Sequence, residues 1–314
     1  MANLREQYRK VFRSLSRVEL QKGAGGLEDL DAADLFEYGT DLWLGFYTEE
    51  GIRIALERYG ITEDVEKRGF DGLRIDVQVD DPEEHMLRIW SVGPECDEPL
   101  IELVVSRDIL HLEEPLADAV GRPYAPVLTV EWIMMQNPQA DFAPDRLPLP
   151  GQQHPGLGVG IKVMEILRNV CLRLDLAGMI TVPAYFHNAA MYSAEFCYLD
   201  TGCEGALQAL LRDILPELDG SLVAASWAIK WKMVVDRLAD AQEPFEWFHE
   251  AMLCPVSEGF KTYFRSEDFL DQVEQVSHNH RFRTFTEALR ENLEAKGIQP
   301  FDRERIESWI DTEV

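Results

Sequence analysis

Positive charge is scarce in this sequence. Its 314 residues carry 30 Lys and Arg against 57 Asp and Glu, a formal net charge of −27. A field of that sign repels phosphodiester backbones, so nucleic acid is not an expected partner. It favours cationic partners such as amines, and it serves equally well as a solubility surface. Long apolar runs are also missing. No window approaches the roughly 18 apolar residues of a membrane-spanning helix, so no membrane association is expected. The opening segment MANLREQYRKVFRSLSRVEL scatters Arg and Lys where a secretory signal needs an apolar stretch. The five cysteines (Cys96, Cys171, Cys197, Cys203, Cys254) are odd in number, with no Cys-x-x-Cys pair. A reduced, cytoplasmic protein is the economical expectation.

Familiar catalytic signatures are equally thin. There is no Gly-x-Ser-x-Gly elbow. His249-Glu250 lacks the second histidine of the His-Glu-x-x-His zinc motif. His278 and His280 form a His-x-His pair that could supply two ligands to zinc or iron, but no third ligand is identifiable, and a solvated loop is the simpler reading. No metal site is assigned.

What is present is a chain of ordinary globular composition, 46% hydrophobic and 28% charged, long enough for one large domain or two smaller ones. In the first twenty residues Leu4, Tyr8, Val11, Phe12 and Leu15 share one helical face. A connector rich in glycine and acid, KGAGGLEDLDAAD, follows. The spacing then predicts a helix from Glu49 to Arg58, closed by Gly60. LRIDVQVD, HMLRIWSV and PLIELVVSRDIL alternate with period two and predict an antiparallel meander. APVLTVEWIMM is the most apolar strand and is placed centrally. About twenty residues containing five prolines then exclude helix and central strand, and a loop of such length is usually functional or mobile.

From Gly160 the period becomes helical: Ile161, Met164, Leu167, Cys171 and Leu174 form one stripe, and Gly178 ends it before the short strand MITVPA. Helix signals return at 187–196 and 204–214. SLVAASWAIKWKMVVDRL predicts a single buried helix with Trp227 and Trp231 one turn apart, FEWFHEAM and FKTYF add aromatics, and helices are expected over TFTEALRENLEAKG and after Pro300.

The strand, loop, helix and strand between Ala125 and Ala184 form the candidate ligand site. Its loop reads Gln153-His154-Pro155-Gly156-Leu157-Gly158-Val159-Gly160. Alternate glycines let a ligand approach the backbone, and the following helix offers free N–H groups at the positive end of its dipole. That combination suits a phosphate or pyrophosphate. No Gly-Lys-Ser/Thr follows, which excludes the Walker loop, and the spacing is not that of the dinucleotide fingerprint. The structural alternative is a turn that packs the helix tightly on its sheet.

This order of elements resembles the GNAT superfamily of N-acetyltransferases. Gln153, Gly156 and Gly158 match the family's Gln/Arg-x-x-Gly-x-Gly/Ala motif, and the preceding meander and the later helix HNAAMYSAEF fall in the family's order. The resemblance implies a mixed α/β (α+β) fold with a mostly antiparallel central sheet. It implies three segments: an N-terminal helical stretch (1–40), an acyl-coenzyme A-binding domain (41–205) and a helical C-terminal region (206–314). It further implies acetyl-CoA or another acyl-CoA on the amides of Gly156, Leu157, Gly158, Val159 and Gly160, with Gln153 and His154 flanking them. Tyr192 is similar to the family tyrosine that protonates the departing thiolate.

Acyl transfer to a small-molecule or protein amine needs a base to take the amine's proton. Glu131, on the central strand, is the candidate, or else a strand carboxylate paired with an arginine. His187 and Asn188 are the candidate substrate contacts. The alternative function is a catalytically degenerate binding or regulatory module. Three departures from the family favour it: the proline-rich insertion before the loop, Asn188 too close to Tyr192, and Phe196 without its glycine. The aromatic C-terminal helices would then offer a partner or homodimer surface.

Overall fold

The structure, a computed structural model, describes residues 2–23, 42–81, 83–93, 97–240 and 243–299. Most of the acid-rich connector, Cys96 and the helix expected after Pro300 lie outside the described residues. The elements begin with α1 (Ala2–Ser14), α2 (Arg17–Leu20), α3 (Glu49–Arg58) and α4 (Ile61–Glu66). The strands β1 (Leu73–Asp81), β2 (Glu84–Ser91) and β3 (Ile101–His111) follow, then α5 (Leu116–Val120) and β4 (Tyr124–Met135). Next come α6 (Gly160–Arg173), β5 (Gly178–Thr181), α7 (Phe186–Tyr192), β6 (Cys197–Tyr198), α8 (Thr201–Glu217) and α9 (Leu222–Lys230). The remainder is β7 (Val234–Asp236), β8 (Met252–Pro255), α10 (Glu258–Phe264), α11 (Glu267–His278), β9 (Phe282–Thr284) and α12 (Thr286–Ala295). The protein is a mixed α+β fold, as expected. Among the described residues, no helix is long and apolar enough to cross a membrane.

Two compact units account for the chain: Met1–Leu110, Ala125–Gln139 and Gly156–Met179 in the first, and His111–Tyr124, Ala140–Pro155 and Ile180–Val314 in the second. They cut the chain at other points than composition does. The N-terminal helices belong with the meander, and the second unit already takes in the proline-rich segment.

In the first unit β1 to β4 lie side by side in sequence order. The meander is antiparallel, with Ile75 opposite Ile89 and Leu87 opposite Leu103 on its buried face. On the other face the same register sets Arg88 opposite Glu102, paired at 2.6 Å, and Arg74 opposite Trp90, its guanidinium 5.0 Å from the ring centroid. Cross-strand pairs of these kinds fix register as well as adding stability. In β4 both Val127 and Leu128 are buried, so both faces of that strand are covered.

The helices of this unit are anchored by polar contacts to backbone. Thr48 caps α3 by accepting from the Gly51 amide at 3.0 Å. The Tyr8 hydroxyl of α1 donates to the Tyr59 carbonyl at 2.8 Å. Arg173 at the end of α6 donates to the Phe12 carbonyl at 2.8 Å.

In the second unit α8 lies against α11 so closely that a Cβ on Gly205 would sit 2.6 Å from the Val276 side chain. Asp200, Ser221, Ser257 and Ser266 each cap a helix by accepting from the amide three residues on. The single helix expected over residues 221–238 is shorter. Lys232 takes a left-handed backbone (φ 56°), and Val234 and Val235 enter a strand paired with β9. The apolar run continues through both elements, and hydrophobicity alone does not mark where a helix yields to β-branched strand residues.

Gly51 generates a test of the first unit. A Cβ there would lie 1.9 Å from the Leu20 carbonyl oxygen, which leaves no room for any side chain between α2 and α3. Gly51→Ala is expected to lose about 2–3 kcal/mol despite the better helix propensity of alanine, measured by urea denaturation.

Candidate functional site

The loop before α6 is built on the end of β4. Gln136 donates to the Leu100 carbonyl at 2.9 Å, and Gly156 bridges back to Gln136. Leu157 then donates to the Met135 carbonyl at 3.1 Å. Leu157 and Val159 are both buried, while Gly158 between them is exposed with φ +71°. The segment therefore anchors by its two apolar side chains and turns its glycine edge outward.

A cation stands at that edge. Arg68, just beyond α4, reaches the Gly158 carbonyl with Nη2 at 3.3 Å and is steadied by a second bond from Nη1 to the Asp64 carbonyl. The Asp64 carboxylate pairs with Lys162 in the first turn of α6. Among the described residues the amides of Gly160, Ile161 and Lys162 have no acceptor, as the first turn of a helix leaves them. Free amides, the positive end of a 14-residue helix and a guanidinium thus lie around one exposed glycine. Arg68 was not found from the sequence: it lies 90 residues from Gly158, and no local pattern marks it.

Glu131 lies on β4, exposed and, among the described residues, in no ion pair, so the expected arginine partner is not there. Gly156 to Gly160 and Glu131 belong to the first compact unit. Gln153, His154, His187, Asn188 and Tyr192 belong to the second. Gln153 is exposed and His154 half-buried.

In the second unit the proline-rich segment is held in place. Trp227 donates from Nε1 to the Pro148 carbonyl at 2.9 Å, and Leu149 and Gln152 bond to each other. Gly151 (φ +85°) lies against the Tyr185 ring, where a Cβ would come within 2.6 Å. Tyr185 in turn stacks on His187 with centroids 5.4 Å apart and receives Lys230 over its ring at 5.3 Å. His187 is 3% exposed, and its Nδ1 has no hydrogen-bond partner. Burial pushes its pKa down to about 4, so it is neutral at physiological pH. Asn188 is half-buried at the start of α7.

Tyr192 ends α7 with its ring 5.4 Å from that of Phe196. Burial raises its pKa, so it keeps its proton and can donate it. Burial likewise pushes the Cys197 and Cys203 thiols up to about 12, which makes them poor nucleophiles. His280 is committed to Asp236 at 2.7 Å. No group of three potential metal ligands occurs among the described residues.

The fold and site together define an α+β protein with a glycine-rich loop at the N-terminus of a helix that follows its central strand. No family model matches the chain, and no curated protein matches it. Among solved structures it is similar to malonyl-CoA decarboxylase from Rhodopseudomonas palustris, at 15% identity and a TM-score of 0.22. The match covers 79% of this chain and 64% of that one, so the chain spans under two thirds of its length.

His187 gives the site a pH dependence with a definite sign. Its native pKa lies near 4 and its unfolded value near 6.5, so the unfolded chain takes up the proton first as pH falls. The stability it contributes is whole above pH 6.5 and is lost between about 6.5 and 4, at about 1.4 kcal/mol per unit. Denaturation of His187→Phe at pH 7 and pH 4.5 is expected to show an acid loss smaller by about 2 kcal/mol than in the unmodified chain.

Proposed function

We propose that this protein binds an acyl-coenzyme A at the Gly156–Gly160 loop and transfers the acyl group to an amine. The observation that supports the reading is the outward glycine edge, with free α6 amides behind it and the Arg68 guanidinium beside it. The residues fit a pyrophosphate: donors and positive charge converge where no side chain obstructs. The likeness of the loop and its setting to the GNAT superfamily adds the coenzyme A identity.

The bound cofactor supplies an acyl thioester activated toward nucleophiles. The amides of Gly158, Gly160, Ile161 and Lys162, with Arg68, would hold its diphosphate. Glu131, in no ion pair among the described residues, would take the proton that the amine must lose to attack, directly or through water. The GNAT resemblance would give Tyr192, which burial keeps protonated, the role of returning a proton to the leaving group.

A second reading is a binding module without turnover. It is favoured by the proline-rich insertion, by Asn188 standing too close to Tyr192 and by Phe196 without its glycine; the Leu157 amide, already given to the Met135 carbonyl, is no donor to the cofactor in either reading.

Coenzyme A at about one hundred times its dissociation constant is expected to raise the unfolding temperature by about 5 °C. Gly158→Asp places a carboxylate at the cradle and is expected to abolish the shift. Gly160→Ala, whose Cβ has ordinary clearance of 3.5 Å, should fold normally and weaken it. No shift in the unmodified protein would remove the cofactor.

Catalysis has a separate test. Tyr192→Phe is expected to lower kcat for amine acylation by about 10²-fold while leaving the coenzyme A shift intact. A shift with no turnover in the unmodified protein selects the binding module.

A further inference from the structure

Arginine is concentrated on one short ribbon of this acid-rich chain. β7 and β9 pair antiparallel, with Val235 opposite Arg283. One step on, Arg237 donates its amide to the Arg281 carbonyl at 2.8 Å, so these two arginines stand across from each other. The alternation of the strands puts Arg237, Arg281 and Arg283 on one face. The other face carries Val234, Phe282 and Thr284 into the core. Like charges set across a ladder are destabilising unless something neutralises them.

The neutralising groups present are already committed. A cleft of about 310 Å³ is lined by these arginines with Arg212, Asp213 and Glu217. Asp213 takes Arg212 through Nε and Nη2, both at 2.7 Å, and also takes the Phe282 amide at 2.9 Å. Arg212 is completed by the Ser277 and His280 carbonyls at 3.0 and 2.8 Å. This pair is a fixed floor. Glu217 accepts from the Thr284 amide at 3.0 Å. Arg281 keeps one contact, 3.3 Å from Asp213. Arg237 and Arg283 are exposed and, among the described residues, have no carboxylate partner. The chain holds 57 acidic side chains for 30 basic ones, so leaving two adjacent arginines unpaired runs against its composition.

We infer that the arginine face of the β7–β9 ribbon binds a small polyanion carrying two or more phosphate groups. Guanidinium forks match phosphate oxygens bidentately, and three on one rigid ribbon need more than one negative charge to balance them. The volume admits a small molecule, and the surrounding negative field excludes a long polyanion. The site lies within the second unit, apart from the glycine cradle of the first.

The test titrates the full chain with inorganic tripolyphosphate by calorimetry at about 150 mM salt, where long-range attraction is screened. The titration is run on the unmodified protein and on Gly158→Asp; the variant is expected to lose any phosphate held at the glycine loop and to keep the ribbon site, so failure of the coenzyme A reading and failure of this one are told apart. The double variant Arg237→Gln/Arg283→Gln is expected to bind at least about tenfold more weakly. Without ligand it should unfold no earlier than the unmodified chain, because a repulsion has been removed. Equal binding by the double variant, no binding by the unmodified protein, or tighter binding of citrate than of tripolyphosphate would each overturn the proposal. So would a lower unfolding temperature of the double variant, since the arginines would then be holding the fold.

Discussion

The hydrogen bond from the Leu157 amide to the Met135 carbonyl returns the chain to the end of β4 after the proline-rich excursion. Everything about the cradle depends on that return. It fixes where α6 starts and drives Leu157 and Val159 into the core. It also leaves Gly158 at the surface within reach of Arg68. The bond is short in space but spans some twenty residues of chain, so the cost of closing that loop must be met elsewhere. In the second unit the excursion is itself secured, through Trp227 on Pro148 and Tyr185 on Gly151. A long loop so tied behaves as part of the scaffold of its own unit.

Much of the architecture was legible because local rules agreed with the global fold. Gly60 after an amphipathic run bounded α3, which spans Glu49 to Arg58 as expected. Period-two alternation placed the meander, and Gly160 marked the start of α6; its end was misplaced, because the helix stops at Arg173, Asp175 turns left-handed (φ 54°), and Gly178 opens β5. What failed was the boundary between α9 and β7, where one apolar run serves two elements and a left-handed Lys232 makes the corner. A lysine in that conformation carries no sequence mark, unlike a glycine. The strand β9 did carry a mark. Arg281-Phe282-Arg283-Thr284 alternates polar and apolar with period two, yet its three-residue length hides it beside two strong helices.

The site was legible only where it is local in sequence. The glycines, Tyr192 and His187 stand out from their neighbours. Arg68 does not, because only the packing of α4 against the start of α6, tied through Asp64 and Lys162, brings it there. The three ribbon arginines show the same limit. Their meaning comes from cross-strand register and from carboxylates already consumed, and neither is a property of the local sequence.

The three alternate glycines have two distinct causes. Gly158 is required by its backbone, since φ +71° is strained for any other residue and a Cβ would press on Arg68 at 2.9 Å. Gly156 and Gly160 are not required in that way. Neither has positive φ, and a Cβ on either meets Met135 only at ordinary contact distances of 3.9 and 3.5 Å. Tight packing of α6 on the sheet therefore accounts for one glycine at most. The other two make the outer edge bare without easing any strain, at an entropic cost to the folded state. A bare edge is useful to something that approaches the backbone from outside, where the amides of α6 are free and Arg68 supplies charge. Backbone conformation thus explains Gly158 and leaves its two neighbours unexplained, and packing of α6 on the sheet requires neither of them.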